Sequence, residues 1–436
     1  MAAGTLEEMI ERAESVTRAL ALLLIGAILT CRALAPTVWP VCRVCERTLR
    51  SKGFAPREIQ TRFGVVRWRR RLGRCPSGCT IGQFAPLDTA LGLAGGQRTS
   101  MELQRSASLL AVFVPLETAA AILRRMQGVK VCGSGIWNWV QAAGARAEAN
   151  LQGELAKLEA TGAVAIEQIE AHIAKLVLLI GADGVMVPFR PTPGSPKGTA
   201  VWREVKLAVL ARLDQRLRPN GVAQVKLARR RLVAVLGDID ALAVRLKLEA
   251  LRQGITVAPC VVWISDGARG LWRLFHDYLA PLGALGILDF YHAVGQLWSA
   301  AETWYHLYLP SGREWLARAR RQLRHGEVDS VITQLQEAAD DAHRSPDHRK
   351  IIQRVTDYLT THRDHLRYPV FKQRDLPIGS GFVESACKWL IQQRFKGVGM
   401  RWSEDGFNNL LLLRLAWAND RFDQLFSPSP MGASTR

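Results

Sequence analysis

Between residues 176 and 290 the apolar pattern changes period in a fixed order, and few folds accommodate that order. The runs 176-LVLLIGADGVMVPF-189, 201-VWREVKLAVLARL-213 and 231-RLVAVLG-237 read as strands, with 190-RPTPGSPKG-198 as a turn-forming loop. A helical period follows over 238–254, then the strand 260-CVVWIS-265, a second helical stretch at 269–280 and the short strand 284-ALGILDF-290. Three hairpin-linked strands followed by helix, strand, helix and strand are the order of an α/β ribonuclease-H-like core with a mixed five-stranded sheet.

Such a sheet sets its first strand beside its fourth, and an acid ends each apolar run: Asp183 the first, Asp266 the fourth. A third acid, Glu384, opens a helical stretch after the glycine turn 379-GSGFVES-385. Three carboxylates gathered this way can hold two divalent ions about 4 Å apart, one activating a water or 3'-hydroxyl and the other stabilising the leaving oxygen. Hard oxygen ligands suit Mg²⁺ or Mn²⁺. Asp289 and His292 lie three apart where the last strand gives way to helix. His292 either orients a ligand, water or phosphate beside the acids or is a structural histidine bonded to Asp289. After Glu384 come Lys388, Arg394, Lys396 and Arg401, cations suited to phosphate contacts, and Trp389 and Trp402, which either pack in the core or stack on a base.

The chain of 436 residues carries 58 Lys and Arg against 39 Asp and Glu, a net charge of +19, so its partner is expected to be a polyanion, here double-stranded DNA. Arginines cluster in 67-RWRRRLGR-74, where Arg67, Arg69, Arg70 and Arg71 are candidate DNA contacts. A hydrophobic content of 48% argues against wholesale disorder. The acidic opening segment reads as an amphipathic helix rather than a secretory signal. The apolar run 19–30, bounded by Arg18 and Arg32, is too short to span a bilayer and reads as a buried helix. The expected location is the cytoplasm, nucleoid-associated in a bacterium, with no membrane partner.

Residues 1–37 read as an N-terminal helical segment. Residues 38–95 form a ribbon-like domain with a hairpin turning near Gly64. Its pairs Cys42/Cys45 and Cys75/Cys79 either hold Zn²⁺ tetrahedrally or are plain thiols of a ribbon without metal. Residues 96–145 suggest a helix-turn-helix, or else an ordinary helical hairpin, with Ser134 and Asn138 near the start of the second helix as candidate DNA contacts. A linker or dimer-contact helix follows over 146–175. The core's first part is 176–292, an all-helical insertion occupies 293–375, and the C-terminal helices of the core occupy 376–426. The tail 427–436 reads as disordered.

Taken together, 74-RCPSGC-79, 86-PLDTALGL-93, 135-GIWNWVQAAG-144, 183-DGVMVP-188, 202-WREVKLA-208, 265-SDGARGLW-272, 288-LDFYHAVGQLW-298 and 377-PIGSGFVESACKWLIQQRFKGVGMRWS-403 resemble the bacterial insertion-sequence transposases of the DDE class, in the ISKra group. The resemblance spans nearly the whole chain. It implies that Asp183, Asp266 and Glu384 are a catalytic triad, and that Asp289 and His292 match a motif of acid or cysteine followed three residues on by histidine. Gly295 stands where the family usually carries an acid. The implied enzyme binds terminal inverted repeats, hydrolyses a strand to expose a 3'-hydroxyl and joins that end to target DNA as a homodimer or larger homo-oligomer on DNA. The alternatives are a hydrolytic nuclease or resolvase of the same fold, and a catalytically silent DNA-binding or accessory protein of transposase descent.

Overall fold

The computed structural model describes residues 4–80, 84–194, 196, 198–217, 223–305, 309–341, 343 and 345–427. The tail expected to be disordered therefore lies, after Ser427, outside the described residues. The chain divides into two compact units, Met1–Ala143 with Arg421–Arg436, and Gly144–Asp420.

The first unit begins with α1 (Leu6–Leu34), started by a capping box between Thr5 and Glu8. The hairpin β1 (Arg50–Thr61) and β2 (Gly64–Arg74) turns at Gly64, with Thr61 facing Gly64. Leu22, Ile25 and Leu29 of α1 pack against Ile59, Val66 and Trp68 of the hairpin. The rest of α1 is not covered, and Leu20, Leu23, Leu24 and Ile28 stand exposed. The buried helix expected for 19–30 is thus corrected: that run belongs to a 29-residue helix covered on one face only, and long and apolar enough, by length and composition, to cross a bilayer. After α2 (Pro86–Ala90) come α3 (Met101–Phe113) and α4 (Leu116–Gln127), the latter ended by Gly128 in the left-handed conformation. Next, α5 (Gly133–Thr161) runs without a break where a recognition helix and a separate linker helix were expected. The chain from 162 to 170 is not helical, and α6 (Ala171–Ala174) is a single turn.

The second unit is built on β3 (Val177–Phe189), β4 (Val201–Leu217), β5 (Ala223–Leu236), β6 (Val261–Ser265) and β7 (Leu285–Leu288), in the spatial order β5-β4-β3-β6-β7. The first three strands are antiparallel, while β6 and β7 run parallel to β3. This is the ribonuclease-H-like arrangement. The connection from β5 to β6 passes through α7 (Ile239–Arg252), capped by Asp238, and every residue of β6 is buried, as a central parallel strand requires. The outer edge of β5 is closed at one point by Asn419, whose amide accepts from the Leu232 N–H at 2.8 Å and donates to the Leu232 carbonyl at 2.8 Å.

From β6 the chain runs through α8 (Arg269–Leu274), which continues as a π-helical turn at Phe275–Leu279, into β7. Then come α9 (Phe290–Tyr305), α10 (Pro310–His325), α11 (Val328–Asp340), α12 (Pro346–Thr361) and α13 (Tyr368–Gln373), with no strand among the described residues of 291–375. These helices bury Trp315, Leu335, Ile352 and Leu359 in a core continuous with that of the sheet. The chain leaves and re-enters the core at adjacent points: Phe290 N–H donates to the Ile378 carbonyl at 2.8 Å. It closes with α14 (Gly381–Ala386), a π-helical stretch Cys387–Gln392, α15 (Gln393–Phe395) and α16 (Glu404–Ala418).

Candidate active site

The register sets Ala182 of β3 beside Ser265 of β6, so Asp183 and Asp266 follow as the next residues of adjacent parallel strands. Both are half-buried. The Asp266 Oδ1 accepts from Ala268 N–H at 3.0 Å and the Asp183 Oδ1 from Gly184 N–H at 2.6 Å, which fixes each carboxylate at the end of its run. Glu384, exposed, comes from α14, and Gly181 is what lets that helix lie on β3. A Cβ there would meet the Phe382 ring at 2.5 Å, Val383 at 2.7 Å and the Ile264 carbonyl at 2.9 Å. The same two-residue step that leads from Gly181 to Asp183 thus couples the helix of the third acid to the strand of the first.

The three acids share one electrostatic neighbourhood. Burial raises the Asp183 pKa, and the charges of Asp266 and Glu384 raise it further against the opposing pull of the Gly184 N–H and His292. The thiol of Cys387, one turn beyond Glu384, is pushed up to about 12 by burial, with Asp183 and Glu384 adding. Two cations answer these charges. Lys388 lies 3.7 Å from the Glu384 carboxylate, where a direct phosphate contact was expected of it. His292 Nδ1 lies 3.4 Å from Asp289 Oδ1, an ion-pair distance without hydrogen-bond alignment. Asp289 raises the His292 pKa to about 8 against burial, with Asp266 and Asp183 assisting, so the imidazole is cationic at neutral pH.

Asp289 is itself a bracket. It is 1% exposed; its Oδ1 accepts from the Tyr291 N–H at 2.6 Å and the His292 N–H at 2.9 Å, and its Oδ2 from the Ser380 N–H at 2.5 Å. Burial opposes its ionisation, but the donors of His292 and Ser380 outweigh it and hold the pKa down to about 2. One carboxylate therefore ties the start of α9 to the turn that launches α14. Sequence reasoning did not single out Tyr358. Its ring, on α12, packs so closely on Gly267 that a Cβ there would overlap it, and its pKa is raised by burial and by Asp266 and Asp289. It reaches the site from the helical insertion, and nothing in its own sequence neighbourhood marks it.

The cations expected on DNA divide by burial. On β2 the alternation turns Arg67 and Arg69 outward, exposed, and Arg71 to the same side, over the Phe54 ring at 5.3 Å. Arg70 is corrected: it falls on the inward face at 9% exposure. There its Nε donates to Asp88 at 3.0 Å and its Nη1 to the Ala55 and Pro56 carbonyls at 3.2 and 2.8 Å, leaving a structural tie instead of a phosphate contact. Arg394 is corrected likewise, being 3% exposed with its guanidinium over the Trp402 ring at 5.3 Å and its pKa lowered by burial to about 10. Lys396 and Arg401 remain exposed, the first over Trp202 and the second donating to the Gly198 carbonyl at 2.7 Å. Ser134 and Asn138 are exposed in the first two turns of α5.

In the other unit the ligand atoms of Cys42, Cys45, Cys75 and Cys79 all lie within 4.8 Å of one another. Tetrahedral zinc thiolate sites have sulfurs about 3.8 Å apart, so the four can coordinate a metal such as Zn²⁺. Among the described residues no set of three carboxylates is gathered as tightly.

No family model and no curated protein matches the chain. Among solved structures, the strand transfer complex of the Drosophila P element transposase is similar at 11% identity over 78% of this chain and 96% of that chain, with a TM-score of 0.33, a distant likeness.

Proposed function

We propose that the chain is a metal-dependent DNA transposase of the DDE type, in which Asp183, Asp266 and Glu384 are the catalytic carboxylates. The observation that supports this reading most is the pair of strand-end acids side by side on a ribonuclease-H-like sheet, with the charge of Glu384 near enough to raise the Asp183 pKa. The chemistry of that set, two half-buried carboxylates with an exposed third, fits hard divalent ions such as Mg²⁺ or Mn²⁺. Bound there, the ions would supply Lewis-acid activation of a water or 3'-hydroxyl and charge stabilisation at the leaving oxygen.

The remaining work belongs to the chain's own groups. The cationic His292 would donate an N–H to a phosphate oxygen beside the acids, with Asp289 holding its backbone N–H and lying 3.4 Å from its ring nitrogen. Lys388 is free to exchange its carboxylate for a phosphate when DNA arrives. Arg67, Arg69, Arg71, Lys396 and Arg401, with Ser134 and Asn138, supply the contacts that hold the duplex in register, and the net charge of +19 supports a long DNA footprint. The partners are terminal inverted repeats and target DNA, brought together by a homodimer or larger assembly in the bacterial cytoplasm.

The test is strand cleavage and joining on a labelled duplex ending in the sequences that flank the coding region, with Mg²⁺ or Mn²⁺, comparing the parent with Asp266→Asn. Metal-dependent 3'-hydroxyl formation and joining, lost in the variant, is the expected result. Hydrolysis without joining would make the protein a nuclease. Specific binding without cleavage would make it a DNA-binding derivative.

A further inference from the structure

The main chain of Asp266 is held from inside the molecule by side chains that lie outside the set of acids. Its carbonyl accepts from the Trp272 Nε1–H at 2.7 Å and from the Ser265 hydroxyl at 3.1 Å, and the Ser265 Oγ accepts from the Trp263 Nε1–H at 3.0 Å. Trp263 and Ser265 are fully buried, and Trp272 is 3% exposed. We propose that Trp272 is a positioning residue for Asp266 and is itself held by the helical insertion, so that the insertion sets the geometry of the candidate acid site.

A core needs a large apolar ring at position 272 but has no need of a donor there. The indole N–H goes to the carbonyl of Asp266, while the carboxylate of the same residue accepts from the Ala268 N–H at 3.0 Å, so Asp266 is fixed at both ends. The insertion closes around this arrangement. The Trp272 ring lies 4.9 Å from that of His362 and 4.2 Å from that of His365, both in the chain just after α12. The His365 Nδ1–H donates to the Gly286 carbonyl of β7 at 3.1 Å, His362 is hydrogen-bonded to the Gly267 backbone, and the Tyr358 ring covers Gly267 itself. Burial lowers both histidine pKa values, with neighbouring imidazoles adding, and brings that of His362 to about 4. At neutral pH the stack is therefore ring on ring, without charge.

Groups behind a metal ligand supply the precision that the ligand needs, to within about 0.5 Å. Asp266 stands where the short strand β6 ends in a turn, so its direction depends on what braces that turn. The consequence for chemistry rests on reading Asp266 as a catalytic carboxylate, whereas the positioning is a property of the protein without metal or DNA.

Amide hydrogen exchange at Ala268, followed by NMR on the full chain, reads the Asp266 carboxylate directly. Trp272→Phe should speed that exchange by about tenfold while amides of β3 keep the parent rate. The benzothiophene analogue of Trp272, which keeps the ring and loses the N–H, should do the same and guards against a variant that merely folds poorly. Tyr358→Ala, which uncovers Gly267 from the side of the insertion, should also speed it. The parent rate in the analogue overturns the role of Trp272, and the parent rate in Tyr358→Ala overturns that of the insertion. In strand cleavage the analogue should lower kcat by about 10- to 100-fold with KM for duplex DNA unchanged, and weaken Mn²⁺ binding by a similar factor. Equal losses in kcat and β3 protection would make Trp272 a core residue only. Faster Ala268 exchange in variants of a parent that neither binds Mn²⁺ nor cleaves DNA would keep the positioning and remove the phosphoryl-transfer reading.

Discussion

Asp289 receives three backbone N–H groups and an imidazolium, so its charge organises the groups around it even though it is almost fully buried. The His292 pKa, measured by NMR titration, should be about 8 in the parent and fall toward 6.5 in Asp289→Asn. The sign of the stability effect follows from the directions of the shifts. The raised His292 pKa contributes stability that is complete below about 6.5 and lost as pH rises through about 8. The lowered Asp289 pKa contributes stability present above about 4 and lost as pH falls through about 2. Asp183→Asn and Glu384→Gln should each reduce strand cleavage by at least about 10³-fold while gel-shift affinity for duplex DNA is unchanged, and a variant cleaving at the parent rate would remove that residue from the site. On β2, Arg69→Ala should lower the salt slope of DNA binding by about one with the fold intact. Arg70→Ala should instead destabilise its unit by about 2 kcal/mol or more, because Asp88 and two carbonyls lose a buried partner. The difference between these two arginines was present in the sequence: Val66, Trp68, Arg70 and Leu72 share one side of the strand, Arg67, Arg69 and Arg71 the other. A run of like charges conceals that alternation. Arg394 was harder to read, because the π-helical stretch before it changes the angle per residue and turns inward a side chain that a regular helix would place differently.

At the scale of elements, the meeting of α14 with β3 depends on the missing side chain at Gly181. Gly181→Ala should push the helix off the strand, costing about 1–3 kcal/mol by thermal unfolding and lowering activity beyond what that loss explains. An unchanged melting temperature would mean that Phe382 and Val383 give way freely. The sheet was legible because its strands are long apolar runs with few competing periods, and the antiparallel trio followed from short links. The boundary between a recognition helix and a linker helix was not legible correctly. The expected division at 145/146 falls inside α5, which passes through Gly144 without a break, and a glycine inside a helix costs only about 1 kcal/mol. The apolar character of α1 was also plain, but hydrophobicity states that a surface needs cover without stating what covers it.

At the scale of the molecule, two compact units with separate cores should unfold separately. Calorimetry should resolve two transitions, and a zinc chelator or Cys75→Ser should lower the one belonging to the unit with the four cysteines while leaving the other in place. A single transition, or a chelator effect on both, would mean that the units stabilise each other. The insertion was recognisable in the sequence as a stretch without strand patterns, whereas its contact with the site through Tyr358 and Gly267 required the fold.

The two ends of that insertion are stapled together, Phe290 to Ile378 through the backbone and Asp289 to Ser380 through a carboxylate. Whatever lies between those points closes a loop whose ends are already joined, so its length has little influence on the sheet. In evolutionary terms the helical insertion is a cassette. A lineage can lengthen or trim it away from the sheet, while the helices that share the sheet's core and the ring of Tyr358 on Gly267 must keep their places.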